Sequence, residues 1–135
     1  MVLKFGKMVI YFGEGGDNIF VVGQYTDKFN QATNQNLPCG NIFQSEGLYK
    51  HIIKRHPNEL ENINYIPQII SSPDYIGKNP KESKSIELVK KLENNVQVCI
   101  KLDKDGDYLY VASVYEISEA KVKNRLKSGR LKTFY

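Results

Sequence analysis

The segment Lys50-His51-Ile52-Ile53-Lys54-Arg55-His56 holds both histidines of the protein among three cations. Histidine titrates near neutral pH in its ordinary state, so it can take a proton in one step and return it in another. A guanidinium beside it carries a flat fork that fits two phosphate oxygens at once. These residue types suit phosphodiester cleavage without a metal. A base takes the proton of a ribose 2′-OH, the oxygen attacks the adjacent phosphorus, an acid protonates the departing 5′-oxygen, and cations steady the added charge. The candidates for that chemistry are His51, His56 and Arg55, joined by Lys101 and Tyr110 from later strands. Lys54, Lys121, Arg125 and Arg130 are the candidate contacts to an RNA backbone. The competing use of the same residues is structural: a solvated helix face for the histidine cluster, and a cross-strand pair with Glu87 for Lys101.

Other spacings exclude rival chemistries. His51 and His56 are five residues apart, roughly 140° around a helix, which is not the i, i+4 spacing of a helical zinc pair. Asp103-Lys104-Asp105-Gly106-Asp107 copies the opening of a calcium-binding loop, but Tyr108 stands where that loop needs glycine and Val114 where it needs a bidentate glutamate. Gly13, Gly15 and Gly16 lack the Lys-Ser/Thr pair of a phosphate-binding loop and mark a turn. Cys39 and Cys99 have no companions at metal-ligand spacing and are taken as packing residues. No metal and no cofactor is expected.

The elements that would position these residues follow from periodicity. Lys7 to Phe12 and Ile19 to Tyr25 are β-branched and aromatic runs around a glycine-rich turn, a hairpin. Thr26 to Gly40 is polar without an apolar period and reads as a long connection. Ser45 can cap a helix running to about His56, where Pro57 stops it. A second helical stretch lies between Asn58 and Ser72, interrupted or restarted at Pro67, and Pro73 to Gly77 is a short extended piece.

From Ser85 the period becomes two. A loop at Glu93 to Asn95 would pair Leu88 with Ile100 and set Glu87 beside Lys101. A type I′ turn at Asp105-Gly106 would pair Leu102 with Leu109, Ile100 with Val111 and Lys101 with Tyr110. One sheet face is then aliphatic and lies under the helices. The other, with Glu87, Lys91, Gln97, Lys101, Tyr108, Tyr110 and Glu116, is open to solvent or a ligand. Ser118 caps a last helix, Glu119 to about Lys127, which Gly129 ends. Between Lys121 and Lys132 the chain is basic with no acidic residue.

The totals fit one domain, residues 1–135, with a hairpin and connection over 1–40 and a core over 41–135. Lysine and arginine number 19 against 15 acidic residues, a formal charge of +4. No apolar run reaches the roughly 18 residues of a membrane span, and no secretion signal opens the chain, so a cytoplasmic protein is expected.

From about Gln44 to Phe134 the chain resembles the phage-encoded branch of the barnase, EndoU, colicin and RelE nuclease superfamily. The residues that carry the likeness are Ser45 to Pro57, Pro73-Asp74-Tyr75-Ile76-Gly77, Val98 to Leu102, Tyr108 to Tyr115 and Ser128-Gly129-Arg130-Leu131-Lys132. The resemblance implies a helical layer followed by an antiparallel sheet, and together with the elements read above the expected fold is α+β: an N-terminal hairpin, a helical pair on a mostly antiparallel sheet of three to four strands, and a short basic C-terminal helix. It also implies metal-independent RNA cleavage or RNA binding on the sheet's open side; the leading reading is an RNA endonuclease of phage or prophage origin, with single-stranded or transfer RNA as its substrate and an inhibitor protein as a candidate partner. Its alternative is a non-catalytic nucleic-acid-binding or adaptor module on the same fold. Ser113 and Tyr115 are rival strand candidates, but the register above puts them on the aliphatic face.

Overall fold

The computed structural model describes residues 18–55 and 57–134 in full, and residues 2–5 and 8–12 by their backbone. The described strands make one sheet in the order β1-β2-β3-β4-β8-β7-β6-β5-β9. They are β1 Val2–Phe5, β2 Met8–Phe12, β3 Asn18–Tyr25, β4 Gly40–Ser45, β5 Tyr75–Gly77, β6 Ser85–Lys91, β7 Asn95–Leu102, β8 Leu109–Ile117 and β9 Leu131–Thr133. Among the described strands only β4 and β8 run parallel. The helices are α1 Asp27–Thr33, α2 Glu46–Arg55, α3 Ile66–Ser71 and α4 Glu119–Ser128, with a 3₁₀ stretch over Pro57–Tyr65. No described helix is long and apolar enough to cross a membrane.

The fold is the expected α+β arrangement with a larger sheet than the expected three to four strands. Of the extra strands, β1 pairs locally with β2, while β4 and β9 take partners far away in sequence. β5 and β9 hold each other at one edge through Gly77↔Leu131, and β3 joins the core through β4. The expected pairing of the first two apolar runs is present between β2 and β3, with Ile10 opposite Phe20. The turn that joins them lies outside the described residues.

Thr26 to Gly40 is not one structureless connection, because a short helix and a buried asparagine organise it. Asn30 Oδ1 accepts from the Tyr25 hydroxyl at 2.7 Å and from the Leu37 amide at 2.9 Å, while its amide donates to the Leu37 carbonyl. A side chain that satisfies both ends of a loop replaces the backbone ladder the segment lacks. Phe29 packs beside it against Tyr25 and Phe134.

The aliphatic face is as expected up to Val111. Ile86 and Leu88, Val96, Val98 and Ile100, and Leu109, Val111 and Val114 form one core with Leu48 and Ile52 of α2 and Ile66, Ile69 and Ile70 of α3. Pro67 stands in the first turn of α3, where its missing amide donor costs nothing. Ser118 caps α4 by accepting from the Lys121 amide at 3.1 Å, and Gly129 ends it in the left-handed region, φ 85°.

Three local expectations are corrected. β6 and β7 pair with Leu88 opposite Val98 and Glu87 opposite Cys99, two residues from the expected register. An even shift keeps every side chain on its face. The hairpin at Asp103 to Asp107 is not type I′, since among the described residues only Asn34 and Lys84 have positive φ without being glycine. Instead the Gly106 amide donates to the Asp103 carbonyl at 2.8 Å and Gly106 alone is left-handed. That loop is centred on the same point, so Leu102↔Leu109 and Lys101↔Tyr110 hold. Finally, a β-bulge follows: Ile100 pairs with Val111 but Cys99 with Ser113, so Ala112 is the extra residue.

Candidate active site

The bulge decides what stands on the second face. An odd insertion moves every later side chain to the other side of the strand. Ser113 and Tyr115 therefore join Gln97, Cys99 and Lys101 of β7 and Glu87 of β6, rather than the aliphatic core. The face is not open to solvent along its length. α4 covers part of it, burying Val89, Ile117, Val122 and Leu131 of the edge strand β9 in a second small core. Two basic side chains, Arg125 of α4 and Arg130 beyond Gly129, close over the strands.

They meet a buried carboxylate. Arg130 donates from Nε to Glu87 Oε1 and from Nη2 to Glu87 Oε2, both at 2.8 Å, the bidentate fork that is the strongest form of this pair. The left-handed exit at Gly129 turns the chain so that Arg130 points back onto the sheet. Gln97 Nε2 donates to Glu87 Oε2 at 3.0 Å and to the Tyr115 hydroxyl at 2.7 Å. Its Oε1 accepts from Arg125 Nη1 at 2.6 Å. A guanidinium only donates and a carboxylate only accepts, so this amide has one orientation. Arg125 Nη1 also lies 3.8 Å from Glu87 Oε2.

Glu87 is 2% exposed and Gln97 fully buried. A charge so far out of water needs its partners: removing one member of such a pair typically costs about 3–5 kcal/mol. The pairing raises the Arg130 pKa, chiefly through the hydrogen bond to Glu87.

On one side of this group a cavity of about 240 Å³ is lined by Glu82, Glu87, Cys99, Lys101, Ser113 and Tyr115, among others. Lys101 Nζ pairs with Glu82 at its rim, 3.1 Å away. On the other side a cleft of about 840 Å³ is lined by Lys78, Lys121, Arg125 and Arg130, with no acidic residue among its described lining. Arg125 and Arg130 thus face a basic cleft while the fork of Arg130 holds Glu87 and Arg125 holds Gln97.

Burial pushes the Tyr115 hydroxyl up to about 12 from 10, with Cys99 and Glu87 adding to the shift. It is a proton donor throughout the neutral range. The folded state holds this proton more tightly than the unfolded chain, so Tyr115's contribution is present below pH 10 and is lost as pH rises toward about 12. We expect urea midpoints of the wild type to fall across that window, and Tyr115→Phe to remove part of the fall. Equal slopes in the two proteins would refute the shift.

The sequence-expected residues divide between two layers. Lys101, Arg125 and Arg130 stand around the Glu87 group. Tyr110 lies on the same face, directly across from Lys101. Lys121 lines the basic cleft. His51, Lys54 and Arg55 are exposed on α2, which packs through Leu48 and Ile52 on the aliphatic face, the opposite side of the sheet. His56 lies outside the described residues. Glu87 and Gln97 were not among the expected functional residues, and Tyr115 was a rival candidate set aside because the expected register put it on the aliphatic face, which the bulge overturns. The signal for Glu87 was its place opposite cations on a polar strand face; the local period alone put Tyr115 on the other side, and only the bulge brings it to Glu87.

The described carboxylates of Asp103, Asp105 and Asp107 come within 4.8 Å of one another, but they sit on an exposed hairpin tip away from this group.

Comparison with characterised proteins and with solved structures gives no match. A family model described as phage-Barnase-EndoU-ColicinE5/D-RelE like nuclease 3 matches residues 19–124. That span begins in β3 and ends in α4, and so takes in Glu87, Gln97, Lys101 and Tyr115 on their strands. With most of its length inside the match, the chain belongs to the phage-Barnase-EndoU-ColicinE5/D-RelE like nuclease 3 family.

Proposed function

We propose that this chain is a metal-independent RNA endonuclease of phage or prophage origin whose site is the Glu87 group and its two flanking openings. The observation that carries the reading is the convergence of one buried carboxylate, two guanidiniums, an ammonium and a protonated phenol between a small cavity and a basic cleft. Arg125 and Arg130 hold the scissile phosphate from the cleft side. Glu87 takes the 2′-OH proton as the O2′–P bond forms, and Tyr115 gives its proton to the 5′-oxygen as the P–O5′ bond breaks. Lys101 steadies the charge on the phosphoryl oxygens. The products are a 2′,3′-cyclic phosphate and a free 5′-OH. The family's nuclease character supports the hydrolytic reading, and the cluster's composition supports RNA, because DNA lacks the internal nucleophile.

The test is incubation of the purified chain with single-stranded RNA, transfer RNA and a DNA of the same sequence in excess EDTA. We expect both RNAs to be cut with cyclic ends and the DNA to survive. Cleavage abolished by EDTA, or DNA cut at the same rate, would overturn the scheme. RNA retained but left intact would instead favour the binding module. His51→Ala separates the two histidine-dependent and histidine-independent schemes: the Glu87 scheme predicts a rate within about threefold of wild type, whereas a proton-transfer role predicts a loss of ~10²- to 10⁴-fold.

A further inference from the structure

Phe43, Tyr108 and Tyr110 form an aromatic patch on the same sheet face as the Glu87 group. Phe43 of β4 is the parallel partner of Tyr110 of β8, and Tyr108 precedes Tyr110 by two residues, which puts all three on one side. Phe43 meets Tyr108 at a centroid separation of 6.0 Å and an interplanar angle of 87°. Tyr108 meets Tyr110 at 6.2 Å and 58°. Neither pair is stacked, and Tyr108 is 43% exposed, a large apolar ring left facing solvent.

The patch adjoins the cavity. Lys101, which lines that cavity, is the cross-strand neighbour of Tyr110. Across the sheet the order is therefore basic cleft, Glu87 group, Lys101, then Tyr110 and Phe43. At the far end Asp103, Asp105 and Asp107 cluster beside Tyr108, whose hydroxyl pKa is raised by burial and by Asp103. Phosphates are repelled there, while the neutral face of a base is not.

We propose that Phe43, Tyr108 and Tyr110 are a stacking platform for unpaired bases of the RNA strand held at the neighbouring site. Cations track the backbone on one side of the scissile phosphate, and rings take the bases on the other, the two halves of single-strand recognition. The acidic hairpin ends the track. Base-paired RNA cannot lay its bases on these rings, so the platform makes the site selective for single strands. This inference rests on the RNA reading above, and its test measures binding without cleavage so that either can fail alone.

The protein contains no tryptophan, so Tyr108→Trp creates a single reporter on the platform. We expect a 2′-O-methyl RNA oligonucleotide, which cannot be cleaved, to quench that fluorescence, while an abasic strand with the same phosphates does not. In the tyrosine background Tyr108→Ala should weaken binding of the 2′-O-methyl strand by about 5- to 150-fold, the range for one lost stacked base, and Tyr108→Phe should restore it. Tyr108→Ala should leave the abasic strand unaffected. The proposal is overturned if the base-bearing strand binds without quenching, or if Tyr108→Ala weakens both strands equally. It is also overturned if Tyr108→Ala leaves both strands unchanged, in which case the patch is open to a protein partner.

Discussion

Glu87→Gln lowers the rate of RNA cleavage in excess EDTA by about 10²- to 10⁴-fold, the usual contribution of one general base. The amide keeps the volume and one acceptor oxygen for the Arg130 fork, but cannot accept a proton at neutral pH. The predicted loss falls on kcat more than KM, because Arg125 and Arg130 still reach the phosphate from the basic cleft. Circular dichroism and a urea midpoint guard against the trivial explanation, since Glu87 is 2% exposed and neutralising it unbalances two guanidiniums. Arg130→Lys completes the set by keeping the charge while losing the fork; it should raise KM. A folded Glu87→Gln protein that cuts RNA within twofold of wild type would remove the carboxylate from the chemistry.

Gly77→Ala should be the most damaging single methyl among the described glycines. At Gly77 β5 lies against β9, and an added Cβ would collide with the Arg130 carbonyl oxygen and press on Leu131 Cδ2. Backbone cannot move aside as a side-chain tip can. We expect a loss of about 2–4 kcal/mol, toward the upper end of overpacking costs, read as a lower urea midpoint with an unchanged slope. The effect reaches the site as well, because any movement of β9 displaces Arg130, whose fork holds Glu87. Cleavage should therefore fall even at temperatures where the variant remains folded. Gly106→Ala is the control: its φ is +78° but nothing lies within 4 Å, so only a cost of about 1 kcal/mol for the left-handed residue is expected, with activity intact. Equal destabilisation by the two substitutions would contradict the collision.

Much of the frame was legible because it is written locally. The alternation of Val96, Val98 and Ile100 with Gln97, Cys99 and Lys101 fixed which side chains of β7 share a face, and the even slip of β6 did not disturb it. Ser118 and Gly129 marked both ends of α4, and the family likeness of the strand and histidine-helix blocks pointed to a nuclease that the match over residues 19–124 bears out. The site was less legible. The histidine cluster drew attention by composition, yet the structure carries His51 on the far layer of the sheet, and the residues gathered with Lys101 are Glu87, Gln97 and Tyr115.

The chain's own order of residue types thus specified strands β2, β3 and β6 to β8, the caps of α4, the aliphatic face of β6 and β7 and the basic C-terminal segment, since each depends on neighbours a few positions away. Tertiary structure alone chose which polar residues meet. One unpaired residue, Ala112, turned Ser113 and Tyr115 to the polar face, and pairings between residues as far apart as Glu87 and Arg130 closed it. A bulge and a long-range ion pair are settled by the competition between whole packed arrangements, in which a buried carboxylate must find its guanidinium, and no local period encodes that outcome.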